Sequence, residues 1–390
     1  MYEQMVKDLE GGGNQTGLRD QNARLVLSYI RRHGALPSAE IARRSGLSAQ
    51  TVSNIIRALD AEGLISRGKA IKGKVGKPSV PVTLKPRGVH SFGLNIGRRS
   101  AEVVLVDFLG KPLAEYSTTY PFPTPEAVFP FLERSVQAAL SKVPQAASSL
   151  AGLGVAMPFR LWEWHQVVGA PAGAIAGWRE VDVAASVRAV TGFDPVIGND
   201  ATSACVAEHL LGKGLEYLDF VYFFVGAFIG GGLVLNGKVV NGRTGNAAAI
   251  GPLPVPDGNQ GVTQLLNVAS LHVLERRIRE TGGDPKRLRD PGSNWREHGA
   301  VLEQWIAETA RNLAIASAAA ASIVEIEAVL VDGAIPLWVK DKLVAAIASE
   351  LGRLDMTGVE KPAVIAGAVG RPARSIGAAL LPIHARYFVA

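Results

Sequence analysis

The chain has 390 residues, 47% hydrophobic and 19% charged, with a formal net charge of +6, and a chain of that length and apolar content buries a large core and is expected to form two or three domains. Cys205 is the only cysteine, which excludes an internal disulfide or a cysteine-built zinc site and fits a reducing cytoplasm. No charged-then-apolar signal pattern opens the chain, and the longest uncharged runs, 220–235 and 313–324, fall short of the ~20 residues that span a bilayer, so both read as buried core and no membrane partner is expected.

Residues 1–17 contain Gly11, Gly12 and Gly13 and read as a flexible end. From 18 to 33, Leu25, Val26, Tyr29 and Ile30 recur at helical spacing, as in the first helix of a three-helix module. The stretch 36–62, LPSAEIARRSGLSAQTVSNIIRALDAE, then reads as two short helices joined by a tight turn. Ile41, Ala42 and Leu47 form an apolar stripe, Ser38 stands where an N-cap is expected, and Gly46 ends the helix. Ser48 caps a second helix in which Val52, Ile55, Ile56 and Leu59 recur at i, i+3, i+4 and i+7. Gln50, Thr51, Ser53, Asn54 and Arg57 are left on its outer face. In a helix-turn-helix those positions meet base edges, where Gln or Asn pairs with adenine and Arg with guanine; in a plain helical hairpin they are a solvated face.

The flanking chain favours the first reading. Residues 64–86 have alternating, strand-like ends around a Gly- and Lys-rich loop, the pattern of a β-hairpin wing that touches DNA backbone or minor groove. Residues 18–87 carry fourteen Lys and Arg against four Asp and Glu, a net +10 that exceeds the charge of the whole chain. A basic footprint confined to one small module is the signature of phosphate contact.

Beyond 88 the elements alternate. Strands are expected at 92–96, 101–107 and 111–120, a helix at 125–142, a strand at 153–157, a helix at 181–191 and a strand at 195–198 that ends at Asn199-Asp200. A second set follows: strands at 220–225 and 229–235, an Asn236-Gly237 hairpin turn, a strand at 238–240, a small-residue helix at 303–323, a strand at 328–331 and a loop at 332–334. The same strand-strand-strand-helix-strand order occurs twice, which is the layout of a duplicated, ribonuclease H-like fold of the actin or hexokinase type, with two α/β lobes around a cleft. Residues 232–238, GLVLNGK, match seven positions of a nucleotide P-loop, but Val239 follows where Ser or Thr would hold magnesium, and the match lies across a hairpin.

The winged module followed by GLNIGRRSAEVVLVD, IGNDATSACVAEHLLGKG, VGAFIGGGLVLNGKVVNGRTGNAAAIGP and AVLVDGAIP resembles the ROK family, which groups sugar-responsive bacterial repressors with sugar kinases; the resemblance runs from about residue 18 onward. It implies a flexible 1–17, a winged helix-turn-helix at 18–87 and a two-lobed ROK domain at 88–390. It also implies that Asn199 and Asp200, and Gly230 and Gly231 of the glycine loop, bind ligand, Asp200 being the residue that in ROK kinases takes the proton of the attacking sugar hydroxyl. The plainer reading is that Asp200 caps the helix starting near Ala201.

Several positions depart from the family pattern. Where ROK kinases carry Asp-x-Gly-Gly-Thr, this chain has Asn95, Gly97, Arg98 and Arg99, and its glycine loop, Gly226 to Gly232, has lost the hydroxyl and gained Phe228. Those losses remove positioning and charge neutralisation from phosphoryl transfer, so no catalytic residue and no cofactor is assigned. Ala249, Gly251 and Pro252 stand where the family's sugar-binding Glu-x-Gly-His is expected, and no cysteine cluster follows, so the family's zinc is not expected either. Phe159 to His165, with Trp162 and Trp164, either lines the cleft or anchors a contact between lobes or subunits. Arg98 and Arg99 are either solvated or face an acidic ligand.

The expected function is that of a cytoplasmic DNA-binding regulator, a repressor of carbohydrate-related genes, acting as a homodimer or homotetramer on operator DNA and gated by a sugar-like ligand. Gln50, Thr51, Ser53, Asn54 and Arg57 are the expected base readers, and Lys77 of the wing is an expected phosphate contact. The alternatives are a ligand-independent regulator that uses the ROK domain as a dimerisation scaffold and, further away, a sugar kinase.

Overall fold

A computed structural model of the chain describes residues 15–70, 80–164, 170–171, 173–258, 261–290 and 293–389. The N-terminal module is built from α1 (Gln15–His33), β1 (Leu36–Pro37), α2 (Ser38–Ser45), α3 (Ala49–Ala61), β2 (Ile65–Arg67) and β3 (Pro81–Leu84). Its strands form a small antiparallel sheet in the order β1-β3-β2. Gly46 ends α2 at φ 73° with its N–H on the Ala42 carbonyl, and the Ser48 hydroxyl accepts the Thr51 N–H at 3.1 Å. Ser38 is not the cap expected of it. Pro37 takes that place at φ −66°, ψ 148° with no side-chain cap bond, because the chain enters α2 directly from β1 and Ser38 is already helical. The wing tip, residues 71–79 with Lys77, lies outside the described residues.

The first lobe holds β4 (His90–Ile96), β5 (Ser100–Asp107), β6 (Pro112–Thr119), α4 (Pro125–Lys142), β7 (Leu150–Met157), α5 (Val183–Thr191) and β8 (Pro195–Asn199), and α6 (Asp200–Leu211) leads out of it. The second holds β9 (Phe220–Val225), β10 (Ile229–Leu235), β11 (Lys238–Val239), the ribbon β12 (Pro254–Pro256) and β13 (Val262–Gln264), α7 (Leu266–Ala269), α8 (Leu271–Glu280), α9 (Gly299–Ile323), β14 (Ala328–Gly333), α10 (Leu337–Arg353) and β15 (Ala363–Ala366), followed by α11 (Ala373–Tyr387). The two five-stranded sheets run β6-β5-β4-β7-β8 and β11-β10-β9-β14-β15, each an antiparallel triplet extended by two parallel strands. The expected duplication is therefore present strand for strand. Asn236 and Gly237, at φ 53° and 70°, make the turn between β10 and β11, so the P-loop-like heptapeptide is a hairpin. Asp332 and Gly333, expected in a loop, still pair with Phe224 and Val225.

Two helices fill the space between the sheets. Helix α11 lies on β4 and β7, α6 lies on β10, and the helices pack on each other. The layers meet backbone to backbone. A Cβ at Gly154 would come within 1.8 Å of the Ala378 carbonyl oxygen, and one at Gly377 within 1.7 Å of that of Ser203. Such contacts leave no side-chain slack, so α6 and α11 move with the elements they touch. One hydrophobic core, with Phe92, Leu94 and Trp178, fills the first lobe, and another, with Val221, Trp305 and Val329, the second. A third is continuous from Val26, Leu27 and Ile30 of α1 through Phe108 to Leu380 and Phe388, so the small module is seated on the lobes by apolar packing.

Candidate DNA-reading face and interlobe cleft

Helix α3 has one buried and one open face. Val52, Ile55, Ile56 and Leu59 are buried, whereas Gln50, Ser53, Asn54 and Arg57 are exposed. The Gln50 amide donates to Asn54 Oδ1 at 3.1 Å, and Arg57 donates to the same oxygen, which gathers three of the five expected base readers into one polar cluster. Thr51 differs: it is half-buried, and its hydroxyl sits 2.8 Å from that of Ser48 within the cap. Glu40 on α2 pairs with Arg43 and Arg44, each at 2.6 Å, and their hydrogen bonds hold its carboxyl down at about 2.

The cleft is a cavity of about 760 Å³ at the turn between β4 and β5, closed from the other side by the start of α11 and the loop after α8. Asn95 on β4 faces Glu102 on β5 in register and donates to its carboxylate, while the Ser100 hydroxyl reaches the other oxygen at 2.5 Å. A carboxylate therefore does stand beside position 95, delivered by the neighbouring strand. The Tyr120 hydroxyl donates to the Gly97 and Ser100 carbonyls at 2.9 and 2.7 Å and clamps the turn; burial, then the charge of Glu102, raises its pKa. Two of the departures from the family pattern are themselves partners, since the Arg98 guanidinium lies 5.3 Å from the centroid of the Phe228 ring.

Asn199, and not Asp200, caps α6. Its Oδ1 accepts the Ala201 and Thr202 N–H groups at 2.9 and 3.2 Å, so the capping role considered for Asp200 is corrected. Asp200 is the first helical residue, and its carboxylate faces Arg374 of α11 at 3.5 Å. Gly230 and Gly231 lie in β10, and both are pressed by protein: a Cβ at 230 would meet that of Ala201 at 2.5 Å, and one at 231 the Ile250 side chain at 2.2 Å. Their smallness is accounted for by packing, and neither lines the cavity. Trp162 is half-buried against the first-lobe core, in a 3-10 turn that follows Arg160 at φ 49°. His165 lies outside the described residues. Among the described residues, no group of three or more His, Cys, Asp and Glu is placed to hold a metal, and no helix is long and apolar enough to cross a membrane. Sequence reasoning missed Glu102, Arg289, Arg371 and Arg374, which reach the cleft from three separate segments, β5, the turn after α8 and the start of α11.

A model of the ROK family matches residues 91–385. The chain belongs to the ROK family. A second model, of a winged helix-turn-helix DNA-binding domain, matches residues 19–66, so this ROK protein joins a DNA-binding module to the family's domain. It is 26% identical over 383 residues to the uncharacterized protein y4fQ of Sinorhizobium fredii, covering 94% of this chain and 92% of that one. It is 25% identical over 274 residues to the DNA-binding transcriptional dual regulator NagC of Escherichia coli, 68% of this chain and 66% of NagC. It is 21% identical over 242 residues to the xylose repressor of Bacillus subtilis, 62% of each. Among solved structures, a ROK family transcriptional regulator homologous to the E. coli MLC protein superposes with a TM-score of 0.68 at 18% identity, over 95% of this chain and 97% of that one. A ROK glucokinase of Streptomyces griseus in complex with glucose and AMPPNP superposes at 0.58 and 22% identity over 75% of this chain and 98% of the kinase. The kinase has no counterpart to the remaining quarter of this chain.

Proposed function

We propose that this ROK protein is a sequence-specific DNA-binding repressor of carbohydrate-related genes, and that a small molecule in the interlobe cleft sets its affinity for the operator. The observation that carries the reading is the open face of α3, where Gln50, Asn54 and Arg57 form one exposed hydrogen-bonding cluster over a buried apolar face. Such a helix end, in a module of net +10, suits major-groove readout. Two copies of the module, in a homodimer or homotetramer, would read a palindromic operator whose half-sites lie about 10 bp apart or a multiple of it.

Gating has a physical route. Arg371, Arg374 and Ser375, at and just before the start of α11, line the cleft, and Tyr387 and Phe388 at its far end pack with the module's core. Fifteen residues of helix span about 22 Å, with Gly377 holding the helix against α6 on the way. Helix α1 touches both lobes: Arg31 donates to the Phe108 carbonyl at 3.2 Å, and Arg32 approaches the Gly237 turn. A ligand that changed the lobe angle would thus bear on α1, within the limit set by its difference in affinity for the two shapes. The reading assigns no phosphoryl transfer to the cleft. Asn95 donates to Glu102, and two arginines occupy the turn where phosphates would have to approach.

Selection from a random DNA pool tests the DNA reading. The wild-type chain is expected to enrich a two-fold symmetric sequence, and Asn54→Ala and Arg57→Ala each to lose about 1–3 kcal/mol of discrimination at one position per half-site. Recovery of no enriched sequence, or of the same sequence by the Asn54→Ala, Arg57→Ala double variant, would remove α3 as the reader.

A further inference from the structure

The four carboxylates of the DNA-binding module divide by place. Asp20 and Glu62 line a groove between the module and the ROK domain, beside Leu150 and Arg386, and among the described residues neither has an ion-pair partner. Glu40 on α2 is shared by Arg43 and Arg44. Asp60 on α3 pairs with Arg67 of β2 at 2.7 Å, and both residues are exposed. Asp60 follows Ser53 by seven residues and Arg57 by three, so it stands on the same face of α3 as the expected base readers. Arg57 itself donates to Asn54, which leaves the carboxylate to Arg67.

Arg67 is held at the root of the wing. It is the last residue of β2, opposite Val82 of β3, and the Gly68 N–H bonds the Pro81 carbonyl at 2.8 Å. Its side chain therefore reaches from a fixed backbone to the reading helix, and Lys69, Lys72, Lys74 and Lys77 follow it in the sequence. An exposed pair of this kind adds little to stability. Its weight in DNA binding is larger, because each cation that reaches a phosphate steepens the fall of log affinity with log salt by about 0.9. A carboxylate between two basic elements on the reading side withholds one such cation and repels phosphates itself.

We propose that Asp60 is a specificity-determining residue that works against DNA in general: it keeps Arg67 off the phosphates, so that the module binds random sequence weakly and depends on the base contacts of α3. The proposal deepens the DNA-binding reading and rests on it. Non-specific complexes are made of phosphate contacts alone and take the whole effect of the carboxylate. On an operator, base contacts from Gln50, Asn54 and Arg57 fix α3 in the groove, and the Asp60–Arg67 pair then links the reading helix to the wing root. Asparagine at position 60 could still accept from Arg67, but a neutral oxygen competes poorly with a phosphate for a guanidinium. Removing the charge should therefore raise affinity for random DNA more than for the operator, and lower the ratio between them.

Fluorescence anisotropy of the full chain on a labelled duplex of random sequence, from about 50 to about 200 mM salt, tests this. Asp60→Asn is expected to bind about threefold or more tighter than the wild type, with a slope steeper by about 0.9. The double variant Asp60→Asn, Arg67→Gln should return to the wild-type slope, because the added contact is that of Arg67. Glu62→Gln makes the same change of charge in the groove away from the reading face and should leave the slope as it is. The gain in Asp60→Asn cannot come from unfolding, and thermal unfolding without DNA confirms that the other variants fold. An Asp60→Asn slope equal to the wild type's, a gain that survives in the double variant, or the same gain in Glu62→Gln would overturn the proposal. The sequence enriched by the wild type, measured beside the random duplex, gives the ratio, and a ratio that Asp60→Asn leaves unchanged defeats the role in specificity. Failure of the DNA-binding reading looks different: the wild type would then bind neither duplex at any salt.

Discussion

The guanidinium of Arg31, on the first helix of the DNA-binding module, lies 4.9 Å from the centroid of the Phe388 ring just past the end of α11. Phe388 stacks in turn on Phe108 with centroids 5.7 Å apart, and the Val389 N–H donates to the Ser28 hydroxyl at 3.1 Å. Burial lowers the pKa of Arg31 to about 10 although Asp107 pulls the other way. A desolvated cation seated on an aromatic face holds the module to the ROK domain.

Replacing Phe388 by alanine should therefore loosen that joint more than either body. A buried Phe→Ala change costs about 3–5 kcal/mol, and here the loss falls on the apolar core shared by α1 and α11. Scanning calorimetry is expected to show one unfolding transition in the wild type and two in Phe388→Ala, the module melting first. A single transition that moves down as a whole would mean that the two bodies do not separate at this seam.

His209 makes stability depend on pH. It sits on α6, donates through Nε2 to the Gly237 carbonyl at 3.0 Å, and burial, with the charges of His384 and Arg32, lowers its pKa to about 4. A histidine with a depressed folded pKa stays neutral in the fold while the unfolded chain takes up a proton. Its contribution is complete above pH 6.5 and is lost as pH falls from 6.5 towards 4, at up to about 1.4 kcal/mol per unit. His90, His272 and His384 are lowered as well, chiefly by burial, and act with the same sign. Urea unfolding at pH 7.5 and pH 5 should show the loss, and His209→Gln should make the slope shallower. An unchanged slope in the variant would assign the acid sensitivity to the other histidines.

Lys340 and Asp332 form a buried ion pair at 2.9 Å. Asp332 also accepts the Gly370 N–H at 2.7 Å, and Lys340 donates to the Gly367 carbonyl at 2.5 Å, so the pair fixes the segment leading into α11. Lys340→Met leaves a buried carboxylate without its cation and should cost about 3–5 kcal/mol. Adding Asp332→Asn removes the stranded charge while its amide oxygen still accepts from Gly370, so the double variant should recover part of the loss. Denaturation of the two variants decides the point; a double variant weaker than the single would show that the carboxylate stabilises the fold without lysine.

Local features of the fold were legible because local physics decides them. Gly46 and Ser48 delimit helices through their own backbone and hydroxyl, Asn236-Gly237 makes its turn at positive φ, and the two repeated strand patterns return as two sheets of identical order. Ser38 misled because the decision lay outside the helix, in the pairing of Leu36 and Pro37 with β3. The cleft was less legible for the same reason. Asn95 signalled a lost carboxylate, but Glu102 returns one through strand register, and Arg374 meets Asp200 across 174 residues of sequence. The glycines at 230 and 231 are small because Ala201 and Ile250 press on them, which no reading of the loop by itself contains.

Position 95 offers the sharpest test of the non-catalytic reading. Restoring the acid of the ROK kinases by Asn95→Asp places a carboxylate against Glu102, where an amide now donates. Asn95 is 1% exposed, so the two like charges face each other with little water between them, and one proton must be shared or the strands must part. The variant is expected to lose about 2 kcal/mol or more at pH 7.5. A carboxylate whose folded pKa is raised stabilises the fold only while protonated, so the deficit should shrink as pH falls through the carboxylate range and grow above it. ATP turnover should stay at background with any sugar, because Arg98 and Arg99 still fill the turn. Measured turnover in Asn95→Asp with stability unimpaired would show instead that the cleft is one residue away from a kinase.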